Sequence, residues 1–424
     1  MTTENMSFYH LGIAPAMLEV LQKLKFVTPT PIQHKAIPLA LEGKDIVGIA
    51  QTGTGKTMAF GVPMIQNLAA SGGRAVVLVP TRELALQVDM ALTPLMRAFS
   101  LKSAVLIGGM PMGPQLDELR QVPQVIIATP GRLLDHIFQG KIDFAETSLL
   151  VIDEADRMYD LGFAPQVDQV IRCLPPEHQT LLFSATMPTD VVKLAAKTMK
   201  LPIQVEISPP GTTIEQITQE LFIVREDVKS RLLSALLAKY AGPTLVFTRT
   251  KSKASRVTRA IRDLGIRVAE LHSDRSMGQR MQAIDGFKLG RYRVLVATDV
   301  ASRGIDVKNI ELVINYDLPD DIENYVHRIG RTGRAGREGR AVSFALPQQI
   351  SDVSRIEKLI RKPLPRGKES DLEGHQLKRR PEAAGSAVSR KPRPSSDPGS
   401  GPLSASDPRP GPRRRRPRRP GKPA

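Results

Sequence analysis

Ala50-Gln-Thr-Gly-Thr-Gly-Lys-Thr57 follows a short apolar run and leads into a helical pattern over 58–68. Small residues in such a turn let backbone N–H groups close around phosphate oxygens, and the helix N-terminus adds partial positive charge. In a P-loop of this form Lys56 reaches the outer phosphates and the Thr57 hydroxyl ligates Mg2+. A strict glycine pattern would miss the motif, because Ala50 stands at its first position. The strand before the turn and the helix after it carry the reading, and they set an α/β fold.

Outward from that turn, short β-branched runs alternate with longer helical patterns. One series is 45–51, 74–80, 103–109, 124–130, 149–154 and 180–186; the other is 244–250, 267–273, 293–299, 312–317 and 341–346. Continuous apolar strands separated by helices belong to parallel sheets covered on both faces. Two series predict two doubly wound domains, over 1–205 and 214–362. The linker is expected at 206–213, where Pro209, Pro210 and Gly211 can continue neither a helix nor a central strand. Nearly every unusual cluster falls at the carboxyl end of a predicted strand, the edge where open α/β sheets bind ligands. From 363 onward there are thirteen Pro and no aromatic residue, so too little apolar surface remains to offset ordering. A disordered tail is expected over 363–424.

The charge is lopsided. Of a formal +17, the tail carries +10, from sixteen Lys/Arg against six Asp/Glu. Such a balance points to a polyanion without separating RNA from DNA or an acidic membrane. The single Cys173 excludes an internal disulfide framework and fits a reducing, cytoplasmic setting. No run approaches the ~18 apolar residues of a membrane span, and no secretory signal opens the chain. The seven His lack paired metal-ligand spacing, so no structural metal is expected.

Val151-Ile-Asp-Glu-Ala-Asp156 ends an apolar run in carboxylates. Alone it would be a solvated turn; beside a P-loop, Asp153 suits the Mg2+ shell and Glu154 the attacking water. Late in the chain, His327-Arg-Ile-Gly-Arg-Thr-Gly-Arg334 offers guanidinium groups without a phosphate cradle. Arg331 and Arg334 match phosphate oxygens and keep their charge, although structural ion pairing is open to them as well.

With Ser184-Ala-Thr186 added, these motifs stand in the order seen in the DEAD-box ATP-dependent RNA helicases of superfamily 2, and residues 8–350 resemble that family. The acidic tetrapeptide and the arginine-rich late motif are the most specific parts; DEAH helicases differ at both. Within the family, the compact core and short basic tail look most like the bacterial RhlE-type enzymes. The resemblance implies two tandem RecA-like domains that bind ATP and Mg2+ between them. It assigns catalysis to Lys56, Asp153, Glu154, Arg331 and Arg334, with Thr57 and Asp153 on the metal. Phe26-Val-Thr-Pro-Thr-Pro-Ile-Gln33 is similar to the adenine-reading Q motif, with Phe8 upstream; Lys25 stands where the family has Gly. Gln51, Thr52, Gly53, Thr54, Gly55, Lys56 and Thr57 are expected around the nucleotide with Phe8, Phe26 and Gln33, as are Gly304 and Asp306.

By the same resemblance, RNA contacts are expected from Pro80, Thr81, Arg82, Gly109, Thr129, Gly131, Arg132, Arg249, Thr250 and Thr298. Ser184, Thr186 and His327 are expected to couple the two sites. Without the family, each piece reads as an ordinary strand-to-helix turn. In Leu271-His-Ser-Asp-Arg-Ser-Met-Gly-Gln-Arg280 the family's Gly and Gln are replaced by Ser273 and Met277, while Arg280 is kept. The implied activity is local unwinding or remodelling of RNA duplexes, with hydrolysis coupled to closure on a single strand. An ATP-gated RNA clamp or RNP scaffold would use identical motifs. Ribosomal or RNA-turnover complexes are the family-level partners, and the aromatic-free tail is an auxiliary electrostatic contact for RNA or protein.

Overall fold

The computed structural model describes residues 7–51, 53–207, 217–299, 307, 309–333 and 338–368. They form two lobes, each built on one sheet. The first sheet contains β1 (Ile46–Ile49), β2 (Arg74–Leu78), β3 (Ser103–Leu106), β4 (Val125–Ala128), β5 (Thr147–Ile152), β6 (Gln179–Ser184) and β7 (Ile203–Glu206). Their order is β3-β4-β2-β5-β6-β1-β7. The second contains β8 (Ile217–Ile223), β9 (Thr244–Phe247), β10 (Val268–Leu271), β11 (Val294–Ala297), β12 (Leu312–Asn315) and β13 (Gly339–Ala345), in the order β10-β11-β9-β12-β13-β8. Every pairing is parallel.

The apolar runs are continuous because helices cover both faces. Along β2, Ala75 and Val77 enter the core under helices 56–71 and 82–98, while Val76 and Leu78 enter the core on the other face. Each fully buried Val or Leu of this kind contributes about 1.5–3 kcal/mol relative to exposure. The second lobe repeats the device: Leu245 and Phe247 of β9 face one cluster, and Val246 the other. With all strands parallel, their carboxyl ends share one edge in each lobe.

Two strands, β7 and β8, escape the sequence reading. Both lie at sheet edges, and their side chains alternate between exposed and buried, with Gln and Glu interspersed. No unbroken apolar run marks them. The expected tail boundary at 363 is also corrected. Leu364 is buried at 3% exposure. The Leu221 N–H donates to the Pro365 carbonyl at 2.8 Å, and the Gly367 N–H donates to the Leu221 carbonyl at 3.0 Å. Arg366 therefore forms an isolated parallel bridge to Leu221 of β8.

Candidate functional site

The P-loop turn is held open by glycine geometry and locked from the side. Gly53 and Gly55 have φ of 86° and 92°, and Gly55 caps the helix Lys56–Ser71. A Cβ on Gly55 would run into the Gln33 amide. Gln33 is buried, its Oε1 accepting from the Thr30 N–H at 2.9 Å and its Nε2 donating to the Gly55 carbonyl at 3.0 Å. It thus closes a capping box on the helix Pro31–Leu41 and fastens that helix to the loop. An amide of this type still has one lone pair and one N–H left for a ligand. Phe26 is 37% exposed, whereas Phe8 is a core residue at 3%. The Thr54 hydroxyl donates to the Gln51 carbonyl at 2.7 Å. Lys56 is buried, and among the described residues its Nζ has no hydrogen-bond partner. That orphaned ammonium at a glycine-rich helix N-terminus is what an anionic phosphate chain fits.

Beyond the end of β5 the chain turns sharply into a short helix, Ala155–Asp160, through Glu154 at φ 54° and ψ 51°. Left-handed backbone costs a non-glycine residue about 1–2 kcal/mol. Tertiary contacts offset it. Glu154 Oε2 meets Arg157 Nη1 at 2.6 Å with both side chains buried, and the Glu154 N–H donates to Asp153 Oδ1 at 2.9 Å. Burial pushes the Asp153 carboxyl up to about 6, Lys56 opposing and Glu154 reinforcing. Glu154 goes the other way: burial alone would raise it, but the charges of Arg157, Lys56 and Arg331 hold it below its ordinary value. Among the described residues, no group of three or more His, Cys, Asp or Glu side chains could hold a metal by itself.

Asp156 ties this cluster to the next motif. Its Oδ2 accepts from the Ala185 and Thr186 N–H groups at 3.2 and 3.0 Å and from the Thr186 hydroxyl at 2.9 Å. The Asp156 N–H in turn donates to Ser184 Oγ at 3.2 Å. From the second lobe, His327 and Arg331 share a small cavity with Arg157. The Arg331 Nε–H donates to the His327 carbonyl at 3.3 Å. Burial, with the charges of Arg157 and Arg331, pulls His327 down to about 4, although Asp156 and Glu154 oppose. Arg328 serves its own lobe, pairing with Asp299 at 2.5 and 2.6 Å and lying 5.1 Å over the Phe247 ring. Thr52, Gly304, Asp306 and Arg334 lie outside the described residues.

The rim residues of the first lobe converge. Thr81 caps the helix Arg82–Ala98, its hydroxyl accepting from the Leu84 N–H at 3.2 Å, and Pro80 is buried beside it. The Arg82 guanidinium lies on Gly108 and Gly109, where φ at Gly109 is 72° and a side chain would collide with it. Thr129 caps the helix Pro130–Phe138, Gly131 leaves open space on its first turn, and Arg132 donates to the Met110 carbonyl at 3.0 Å. In the second lobe, Thr250 caps the helix Lys251–Asp263, Arg249 pairs with Asp320 at 3.0 Å, and the Thr298 N–H donates to the Leu271 carbonyl at 3.2 Å. Arg280 crosses between the lobes to Glu83 at 2.8 Å. Sequence reading placed Glu83 only within the Pro80–Glu83 stretch of the RNA rim and passed over Arg157, although Arg157 stands three residues after Glu154, the spacing of neighbours on a helix.

Residues 30–194 match the DEAD/DEAH box helicase family, and residues 228–336 match the helicase conserved C-terminal domain. This chain is a DEAD-box helicase. It is 41% identical to the ATP-dependent rRNA helicase RRP3 of Candida albicans, over 85% of this chain and 68% of that one. Its fold matches S. cerevisiae Dbp5 bound to RNA and ADP BeF3, with a TM-score of 0.77, 32% identity and coverage of 86% of this chain and 96% of Dbp5. It also matches the DEAD-box helicase Mss116 bound to ssRNA and UDP-BeF, with a TM-score of 0.78, 26% identity and coverage of 88% and 82%. The DEAD-box helicase described here therefore binds and hydrolyses ATP and acts on RNA. The expected likeness to the RhlE-type subgroup is not borne out. No described helix is long and apolar enough to cross a membrane.

Proposed function

We propose that this helicase grips RNA across both lobes and completes its ATPase centre only when the lobes meet. The observation that carries this reading is that Arg331, from the second lobe, lines one cavity with Arg157 of the first, close enough for its charge to act on the buried Glu154. In it, Lys56 and the P-loop N–H groups hold the triphosphate, Phe26 and Gln33 face the base, and Glu154 orients the attacking water. Arg157 and Arg331 keep Glu154 anionic, so it acts more by positioning than by strong basicity. Asp153 and Thr57 would hold Mg2+, which supplies a Lewis acid at phosphate oxygens when bound. With too few protein ligands for a cage, that ion would share oxygens with the triphosphate. Asp156, bound to Thr186, links the centre to the RNA rim of Arg82, Gly109, Arg132, Arg249, Thr250 and Thr298. The functional division proposed is 1–205, a linker at 206–213 and a second unit from 214.

We further propose ribosomal RNA as the substrate, supported by relatives named as rRNA helicases. An rRNA substrate would place the protein wherever ribosomes are assembled, which is the cytoplasm in a cell without a nucleolus. ATPase stimulation by RNA over matched DNA, together with ATP-dependent release of a short duplex in a single turnover, is the test. Retention of RNA without strand release would leave the clamp reading standing instead.

Closure should be pH-dependent through His327. Its imidazole stays neutral down to about 4 with the lobes together, while a solvated one titrates near ~6.5. As pH falls through that window the parted state takes up a proton and the closed state does not. Closure is therefore fully stable above about 6.5 and weakens below it. At pH ~5 the loss is at most about 2 kcal/mol, because Arg331 on the same lobe depresses His327 in both states. RNA retention with a non-hydrolysable ATP analogue is expected to weaken accordingly, and His327→Gln to flatten the profile. An unchanged acid limb in that variant would exclude His327.

A further inference from the structure

We propose that the outer face of the helix Lys251–Asp263, with the neighbouring helix Lys229–Lys239, is a second RNA-binding surface, a phosphate track for the strand where it leaves the cleft. From Lys229 to Arg267 the chain has ten Lys/Arg and one acid, Asp263. That excess of nine exceeds the net +7 of residues 1–362 taken whole, so the rest of both lobes is slightly acidic. The net positive charge of residues 1–362 is therefore carried within this stretch of sequence.

Some of that charge is used internally. Lys229 and Lys253 converge on Asp317 at 2.9 and 2.8 Å, and Lys251 pairs with Asp274 at 2.8 Å. Arg256, Arg259 and Arg262 differ: they are exposed and meet no acid among the described residues. Ala254, Val257 and Ile261 bury the other side of the helix. At 100° per residue, this turns Arg256 and Arg259 outward and leaves Arg262 on the flank of the helix. Like charges at this spacing repel and weaken the helix unless an anion lies across them.

Topology gives the track its direction. The helix follows β9, so it starts at the cleft edge with Thr250 and runs back to the opposite edge, where the exposed Arg267 precedes β10. The charge line thus begins at a rim residue of the RNA cleft. Guanidinium forks suit phosphate oxygens. None of the exposed large hydrophobic side chains lies between 229 and 267. A protein partner would be expected to need an apolar anchor there, and base stacking an exposed ring. The surface fits a polynucleotide backbone and should be indifferent to sequence.

The test uses the full chain and the triple variant Arg256→Gln, Arg259→Gln, Arg262→Gln, with a non-hydrolysable ATP analogue. A short RNA that only fills the cleft is compared with the same RNA extended at both ends. Losing three contacts should weaken the extended RNA on the order of tenfold and make log affinity against log salt shallower by about 2. Affinity for the short RNA and basal ATPase activity should not move. The Arg→Lys triple variant should recover the salt slope, which separates lost charge from damaged folding. An unchanged slope for the extended RNA, or an equal loss on the short one, overturns the track. So does loss of polyglutamate binding with extended-RNA binding intact, which would assign the face to acidic proteins. The proposal rests on RNA binding in the cleft, and failure of the parent itself to hold the short RNA would sink that reading instead.

Discussion

Glu154→Gln should reduce ATP turnover by about 10²–10⁴-fold while leaving ATP and RNA binding in place. The substitution keeps the shape of the side chain and removes the charge proposed to orient and accept from water. It also leaves Arg157 buried beside a neutral amide, where Glu154 now meets it at 2.6 Å. Breaking a buried ion pair by removing one partner typically costs about 3–5 kcal/mol. The retained amide oxygen should soften that, so a lowered melting temperature is expected alongside the lost turnover. The two effects are separable: Arg157→Met, which keeps Glu154, should share the stability loss without the full loss in rate. Single-turnover hydrolysis with bound ATP verified independently is the measurement. Turnover at the parental rate in Glu154→Gln would remove this residue from the mechanism.

Arg331→Ala should lower RNA-stimulated turnover by about 10³–10⁵-fold, the range seen when an arginine finger is withdrawn. Arg331 is buried at 4% exposure in the second lobe, with its Nε anchored to the His327 carbonyl. The P-loop proposed to hold ATP is in the first lobe, so ATP affinity without RNA should stay close to the parent's. Arg331→Lys should not rescue the rate, because an ammonium has the charge without the planar fork. Parental RNA-stimulated rates in Arg331→Ala would show that Arg331 does not complete the active centre, and in Arg331→Lys that charge alone suffices. The neighbouring Arg328 separates the two roles that sequence left open for these arginines. It spends its guanidinium on Asp299 and the Asp317 carbonyl within its own lobe, and its loss should destabilise that lobe rather than act on chemistry alone.

Much of the site could be read from single residues because its parts are local. Gly53 and Gly55 take positive φ within their own turn, and Thr81 and Thr250 cap the helices that follow them directly. Gln33 shows where local reading stops. Its place in the capping box is legible from Thr30 three residues earlier, but its bond to the Gly55 carbonyl is made across the fold. Phe8 shows the converse: an isolated aromatic near a binding motif went into the core, because burial of a large ring outweighs proximity in sequence.

The chain alone determined that there would be two parallel sheets and that chemistry would gather at their carboxyl edges. Apolar runs and small-residue turns are local properties, written within a few residues of where they act. Only the tertiary structure decided that Glu83 meets Arg280 and that His327 loses its proton affinity against the first lobe. Charge pairs form by proximity after folding, and burial sets how strongly each is felt. Neither quantity exists in a sequence until the two lobes are brought together.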